Sequence, residues 1–339
     1  MPDLWLEIAN NRLRRAPKPY ILVDAELVTP RVRKLTFELK ESLVLTEPEF
    51  DAFAFAMITF GPDAKFSRSY SIVEGNLYKF SLCVSLARNS RGGSAYIHKE
   101  IKVGDEITMA PGDNPLAKEN YQRCDQGPPH ILIVGGIGIT AFLRLIEDCE
   151  KKGLPWHLHY AVRSQKDAAF LNRLAKDKTT LYVSEEGKKL DIKAIIPKLD
   201  ADGKLKARIF SCGPGRMMKE CSRITGENGY PEHMVHYEDF GSGEGGDFGD
   251  PFDVEVYDPD ENKHENLTVP ANKSLFDVLT EAGFDVTASC LHGACGACKV
   301  TLYQGEVNYK STCLLSNQKG HALQSCVDRG IGKIKIEIE

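Results

Sequence analysis

Cys290-Leu291-His292-Gly293-Ala294-Cys295-Gly296-Ala297-Cys298, with Cys326 farther on, is the stretch on which the fold turns. Its spacing is C-x4-C-x2-C and then a fourth cysteine, which suits four thiolates converging on the two irons of a [2Fe–2S] cluster. Three of the four ligands come from one loop built mostly of small residues. Its glycines let the backbone fold tightly and bring N–H groups near the sulfurs, where they stabilise negative charge. Electron transfer is the chemistry such a cluster serves.

Other readings of the cysteines are weaker. A zinc site more often shows two C-x2-C knuckles, and here there is one. A Rieske centre is suggested by Cys290-Leu291-His292, but the second half, Cys295 to Cys298, offers no second histidine ligand. Disulfides do not suit a chain that opens Met1-Pro2-Asp3-Leu4-Trp5 without a signal-like apolar run. Cys313 competes with Cys326 for fourth ligand; it follows the polar stretch Asn308 to Thr312 and stands close to Cys298 in sequence, so Cys326 is favoured. Cys83, Cys124, Cys149, Cys212 and Cys221 are scattered, as buried or inert thiols are.

Working upstream from the cysteines, Gly241-Ser242-Gly243-Glu244-Gly245-Gly246-Asp247-Phe248-Gly249-Asp250-Pro251 is rich in glycine and acid and reads as a flexible tether. After it, Phe252 to Tyr257 alternates as a strand. Ser274 to Gly283 has helical periodicity with a serine cap and a glycine stop. Strand, helix, cysteine loop and the later strands Lys299 to Tyr303 and Lys333 to Ile338 describe a β-grasp module of the plant-type ferredoxin kind.

Two more domains precede the tether. From Tyr20 to Pro115 short strands (Ile21 to Val28, Arg33 to Leu39, Ala54 to Phe60, Phe80 to Leu86) alternate with Gly, Pro and Asn, the rhythm of an antiparallel barrel. From His130 to His236 strands alternate with helices, the rhythm of a parallel α/β sheet. The expected divisions are 1–122, 123–240, the tether 241–251, and 252–339. A length of 339 residues and 42% hydrophobic content allow each domain its own core. A net charge of −5 with no basic stripe argues against nucleic acid, and no apolar run reaches transmembrane length. Ten cysteines without a secretion signal point to a reducing, cytoplasmic setting.

Ile131-Leu132-Ile133-Val134 is apolar throughout, as a strand buried on both faces must be. It runs into Gly135-Gly136-Ile137-Gly138-Ile139-Thr140 and then a helix from Ala141 to Ile146. Strand, glycine turn and helix N-terminus form an anion site for a dinucleotide's pyrophosphate. Ile209-Phe210-Ser211-Cys212-Gly213-Pro214 is a second strand that ends in a turn before a helix. Ligands of open α/β sheets sit at the carboxyl ends of strands, so Cys212 stands where it can approach a nicotinamide ring. In the barrel, Arg68-Ser69-Tyr70-Ser71 offers a cation, an aromatic face and hydroxyls along one strand. Arg91-Gly92-Gly93-Ser94 then opens a helix and makes a second phosphate site. Together these motifs point to a flavin.

R-S-Y-S at 68–71, R-G-G-S at 91–94, G-G-I-G-I-T at 135–140, C-G-P at 212–214, H-Y-E-D-F at 236–240 and the four cysteines occur in an order that resembles the phthalate dioxygenase reductase family, which includes vanillate demethylase reductases. The resemblance implies FMN as the flavin, NADH as donor and a separate Rieske-type oxygenase as acceptor. It implies that Arg68 and Ser94 bind the FMN phosphate, that Tyr70 and Ser71 contact the isoalloxazine, and that Phe240 stacks on the flavin near the nicotinamide. The expected path runs from NADH through FMN and [2Fe–2S] to the partner, in a chain taken as a monomer. A reductase serving a non-Rieske monooxygenase or a dehalogenase, or a redox sensor holding the same cofactors, would carry the same motifs. Arg163-Ser164-Gln165-Lys166, after the strand His157 to Val162, lies where an adenosine ribose would, and leaves a 2′-phosphate possible.

Overall fold

The computed structural model describes residues 16–41, 49–87, 92–113, 128–199, 206–238, 240, 249–286, 293, 296, 298–311, 314 and 318–338. The chain divides into two compact units, Met1–Ile195 with Lys206–Gly213, and Ile196–Leu205 with Pro214–Glu339.

In the first unit, strands β1 (Lys18–Thr29), β2 (Val32–Leu39), β3 (Ala54–Phe60), β4 (Phe66–Asn76), β5 (Lys79–Ser85) and β6 (Glu106–Asp113) close a barrel in the order β1-β2-β5-β4-β3-β6. Alternation explains the register. The inward residues Tyr20, Leu22, Leu35, Phe37, Ile58, Phe80 and Leu82 fill its interior. Strand β1 pairs with β6 to close the barrel, and the Tyr20 hydroxyl donates to the Leu77 carbonyl, in the turn between β4 and β5, at 2.9 Å. Helix α1 (Gly93–Lys99) lies between β5 and β6 in the chain. Its C-terminal carbonyls are capped by Arg33, whose Nη1 donates to the carbonyls of Ile97 and, at 2.9 Å, Ile101.

The same unit holds the parallel strands β7 (His130–Gly135), β8 (Trp156–Val162), β9 (Thr179–Val183) and β10 (Arg208–Cys212), in the order β10-β7-β8-β9. Helix α2 (Leu143–Lys152) ends at Gly153 in the left-handed conformation (φ 65°) and buries Leu145, Ile146 and Cys149 against the sheet. Val32, Phe53, Val73 and Cys83 of the barrel share that core, so sheet and barrel are packed as one body. Arg144 of α2 tightens the contact: its guanidinium donates to the carbonyls of Phe50 (2.6 Å), Asp51 (2.9 Å) and Gly75 (3.1 Å). A single turn, α3 (Ile192–Ile195), ends the first stretch of this unit.

Two sheet histidines make this unit acid-sensitive. Burial and the nearby Arg208 guanidinium push His130 down to about 4, and burial with His157 beside it pushes His159 down to about 4. Unfolded, both regain a pKa near 6.5. The unfolded chain therefore binds more protons between pH 6.5 and 4, and stability falls as pH drops through that window. We expect a loss of roughly 1–3 kcal/mol between pH 6.5 and 5, the partly exposed His159 contributing less than the buried His130 because solvent screens it, read as a falling thermal midpoint, and a shallower fall in His159→Gln. A midpoint flat from pH 7 to 5 would contradict it.

In the second unit, α4 (Gly215–Glu227) precedes β11 (Val235–Glu238), and Thr225 Oγ1 meets the buried Tyr237 hydroxyl at 2.6 Å. Beyond Gly249, strands β12 (Phe252–Asp258), β13 (Lys263–Val269), β14 (Lys299–Asn308), β15 (Ala322–Gln324) and β16 (Arg329–Glu337) form a sheet in the order β13-β12-β16-β14-β15, with α5 (Leu275–Glu281) after β13. The central pair β12 and β16 is parallel and its neighbours are antiparallel, the β-grasp arrangement expected from the sequence. Strand β13 was not expected. Its Lys263, Glu265 and Asn266 are polar, as suits the edge of a sheet, and so carry no apolar signal. The expected serine cap forms a capping box: Ser274 N–H donates to Asp277 at 2.9 Å, and Asp277 N–H donates to Ser274 Oγ at 3.1 Å. Most of the tether, 241–248, lies outside the described residues.

Candidate functional site

On β4, Arg68 pairs with Ile58, Tyr70 with Ala56 and Ser71 with Phe55 of β3, so Arg68 and Tyr70 project to one face. That face meets the start of α1. A Cβ on Gly93 would stand 3.7 Å from Arg68 Nε, and one on Gly92 (φ 100°) would stand 3.0 Å from the Phe66 ring. Gly92, left-handed and close against Phe66, sets the start of α1, which stands in ordinary contact with the Arg68 side chain. Ser94 Oγ accepts from Ala87 N–H at 3.2 Å, which fixes the hydroxyl at the same edge. Burial pushes the Tyr70 phenol up to about 12, against the opposing pull of Arg68, so it is a neutral hydrogen-bonding group. A cation, backbone N–H groups, hydroxyls and an aromatic face fit a flavin and its phosphate. Arg91 lies outside the described residues.

At the carboxyl end of β7 the glycine run differs in one respect from expectation. Instead of feeding a helix at Ala141, residues Gly136–Ala141 wind a 3-10 turn, and α2 begins at Leu143 after Phe142. Gly135 is extended and Gly136 turns left-handed at φ 55° with open space around it, leaving its backbone accessible. Gly138 serves another purpose. A Cβ there would lie 2.3 Å from the Cys212 carbonyl oxygen and 3.1 Å from its Sγ, so the 3-10 turn rests directly on the end of β10. The two motifs read separately in the sequence are therefore one contact. Cys212 is fully buried beneath it, and Gly213 follows as the last residue of this unit. Thr140 is also buried, donating its hydroxyl to the Ile137 carbonyl at 2.9 Å. Past β8, Arg163 Nε donates to Glu185 at 2.9 Å in an exposed pair.

In the second unit, Pro214 caps α4, and its carbonyl accepts from Met217 N–H (2.8 Å) and Met218 N–H (3.1 Å). His236 reaches Glu238 at 3.3 Å, and Phe240 is 40% exposed.

Cys298 and Cys326 meet in the β-grasp module. Both are buried, and their sulfurs stand 2.7 Å apart, beyond the ~2.04 Å of a disulfide. The structure thus brings together two of the four cysteines singled out in the sequence. Cys290, Cys295 and Cys313 lie outside the described residues. Gly293 and Gly296 are left-handed (φ 72° and 78°), and a Cβ on Gly293 would lie 2.3 Å from Val327 Cγ2, so both positions favour glycine. Ser325 holds the floor, its N–H (2.9 Å) and Oγ (3.0 Å) both donating to the Cys298 carbonyl.

Two residues of this floor escaped the sequence reading. Asp328 is buried and accepts from Lys310 N–H, Ser311 N–H, Ser311 Oγ and Gln324 N–H, each at 2.8 Å; burial raises its pKa although these donors pull the other way. Gln324 is fully buried, and its Nε2 has no hydrogen-bond partner among the described residues. An orphaned donor beside two converging thiols fits a sulfur-rich guest. The only signal in the sequence was the polarity of Gln324-Ser325 and Asp328-Arg329 around Cys326 in a strand context.

Comparison with known proteins agrees with this geometry. The family described as a 2Fe-2S iron-sulfur cluster binding domain matches residues 259–327, which include all four proposed ligands. A reductase of Gibberella moniliformis is 63% identical over the whole of this chain, which spans 60% of that relative's length. The heme-dependent oxidative N-demethylase beta subunit of Ectopseudomonas mendocina is 29% identical, over 90% of this chain and 93% of its own. The phthalate dioxygenase reductase of Burkholderia cepacia is 28% identical, over 87% and 89%. A solved phthalate dioxygenase reductase, described as a modular structure for electron transfer from pyridine nucleotides to [2Fe-2S], shares the fold with a TM-score of 0.64 at 23% identity, over 95% of this chain and 98% of that one. Barrel, parallel sheet and cysteine module, in that order, are what the chain shares with the phthalate dioxygenase reductases it resembles.

Proposed function

We propose that the chain is an electron-transfer reductase that takes electrons from NADH through FMN and a [2Fe–2S] cluster to a separate Rieske-type oxygenase. The convergence of Cys298 and Cys326 within a chain that also carries a flavin-type barrel and a nucleotide-type sheet is the observation that supports it. A bound flavin accepts the two electrons of a hydride together and releases them singly to a one-electron cluster. The protein's work is positioning and electrostatics. Arg68 and Ser94, with Arg91 and the Gly93 N–H, hold the flavin phosphate; Tyr70 and Ser71 hold its ring. Backbone groups of Gly135, Gly136 and Gly138 with Thr140 receive the nucleotide pyrophosphate. Cys212, Gly213 and Pro214 border the nicotinamide, and Phe240 covers the flavin. Cys290, Cys295, Cys298 and Cys326 hold the irons. The divisions 1–122, 123–240, 241–251 and 252–339 then separate flavin, nucleotide, tether and cluster.

Anaerobic stopped-flow mixing with NADH tests this: flavin bleaching should precede cluster bleaching in time, and extraction should give FMN with two irons per chain. Extracted FAD, or a chain without iron, would refute the assignment. A second acceptor class is favoured by the relative named a heme-dependent oxidative N-demethylase beta subunit. Stopped-flow reduction of a purified Rieske oxygenase against a haem enzyme separates the two.

For the donor, the Glu185 carboxylate beside Arg163 supports NADH, because it neutralises the cation a 2′-phosphate would seek. Glu185→Gln should raise kcat/KM for NADPH about tenfold and leave that for NADH little changed. A wild-type preference for NADPH would reverse the choice.

A further inference from the structure

Gln324 lies two positions before Cys326, on β15, and is fully enclosed. Its Oε1 accepts from Cys298 Sγ at 3.4 Å, a contact that needs the thiol proton. Its Nε2 is buried with no partner among the described residues. Leaving such a donor unpaired costs about 1–3 kcal/mol, and an apolar side chain of the same volume would avoid it. The backbone cannot move to relieve the group, because Gln324 N–H is tied to Asp328, which also holds Lys310 and Ser311.

A cysteine that binds iron has lost its proton. Cys298 Sγ then becomes an acceptor carrying negative charge, and an amide oxygen facing it is repelled. A half-turn of the amide about its last bond exchanges Oε1 and Nε2 within nearly the same volume. It brings an N–H to the sulfur and gives the orphaned donor a partner.

Resting on the cluster assignment proposed above, we infer that Gln324 is a side-chain hydrogen-bond donor to the Cys298 sulfur of the iron-loaded protein, and that it raises the reduction potential of the cluster. The direction follows from charge. Reduction adds an electron to the sulfur-bound irons, and a donor at the sulfur stabilises the reduced, more negative form more than the oxidised one.

Gln324→Met keeps the length and removes the donor. With iron content equal to wild type, the equilibrium should shift about tenfold toward the oxidised cluster, a fall of about 59 mV for one electron, read by potentiometric titration with electron paramagnetic resonance. Pulsed resonance on the reduced wild-type protein, labelled with 15N at glutamine side-chain amides, should show a coupled nitrogen that is lost in Gln324→Met. An unchanged potential at full iron content overturns the inference. If Gln324→Met fails to load iron, the labelled wild type decides alone, and an iron-loaded chain without the coupling overturns it. A wild-type chain that holds no iron overturns the cluster assignment and the inference together.

Discussion

Gly138→Ala should lower the rate of nucleotide-driven flavin reduction about 10²-fold, the scale of loss that a displacement of ~1 Å inflicts on a reacting pair. The new Cβ would fall 2.3 Å from the Cys212 carbonyl oxygen and 2.7 Å from its carbonyl carbon. Those atoms belong to the backbone of β10, so no side chain can rotate away. Either the 3-10 turn lifts off the sheet or β10 slides against β7, and both displace the loop proposed to receive the pyrophosphate. Overpacking of this kind also costs about 1–3 kcal/mol in stability. Gly153→Ala, at the end of α2 and outside the proposed site, is the control. Its φ of 65° makes alanine unfavourable by about 1 kcal/mol, but nothing lies within 4 Å of the new methyl group. Stopped-flow reduction by NADH and thermal unfolding of both variants test the contrast. Equal effects would mean that the seat of Gly138 on β10 does not set the rate.

The contrast also shows what a sequence can and cannot reveal. Gly138 belongs to a motif that announced a turn after a buried strand, and the turn is there. Strand β3 runs from Ala54 to Phe60 as its alternation predicts, and Ser274 caps α5 as its spacing to Asp277 requires. These are local properties, written in neighbouring residues. The role of Gly138 depends on Cys212, which the chain brings near only when β10 pairs beside β7. Strand β13 was missed for a different reason: an edge strand has one partner and keeps polar residues, which resemble a loop. Gln324 was missed because a glutamine beside a cysteine reads as surface, and only its complete enclosure makes it informative. The sequence offered candidate residues wherever chemistry demands a spacing, as in the cysteines and in R-S-Y-S. It was not legible where packing between distant strands supplies the constraint.

Cys298→Ser should abolish electron delivery to an iron–sulfur or cytochrome acceptor, by at least ~10²-fold, while NADH still reduces the flavin at nearly the wild-type rate. The expectation follows from where the residue sits. Cys298 belongs to the second unit, at the start of β14, whereas Arg68, Tyr70, Gly93 and the glycine loop all belong to the first. Serine offers a hard, neutral oxygen where a soft thiolate is wanted, so iron loading should fail or weaken. The buried floor should then loosen, because Cys298 shares it with Cys326, Gln324 and Ser325. Cys326→Ser should match Cys298→Ser, and Cys313→Ser should leave iron content unchanged, which decides the fourth ligand between them. Iron analysis, flavin bleaching by NADH and cytochrome c turnover give three independent readings of each variant. If Cys298→Ser also stops flavin reduction, the proposed order of electron transfer is wrong, because the cluster would then lie between nucleotide and flavin rather than after them.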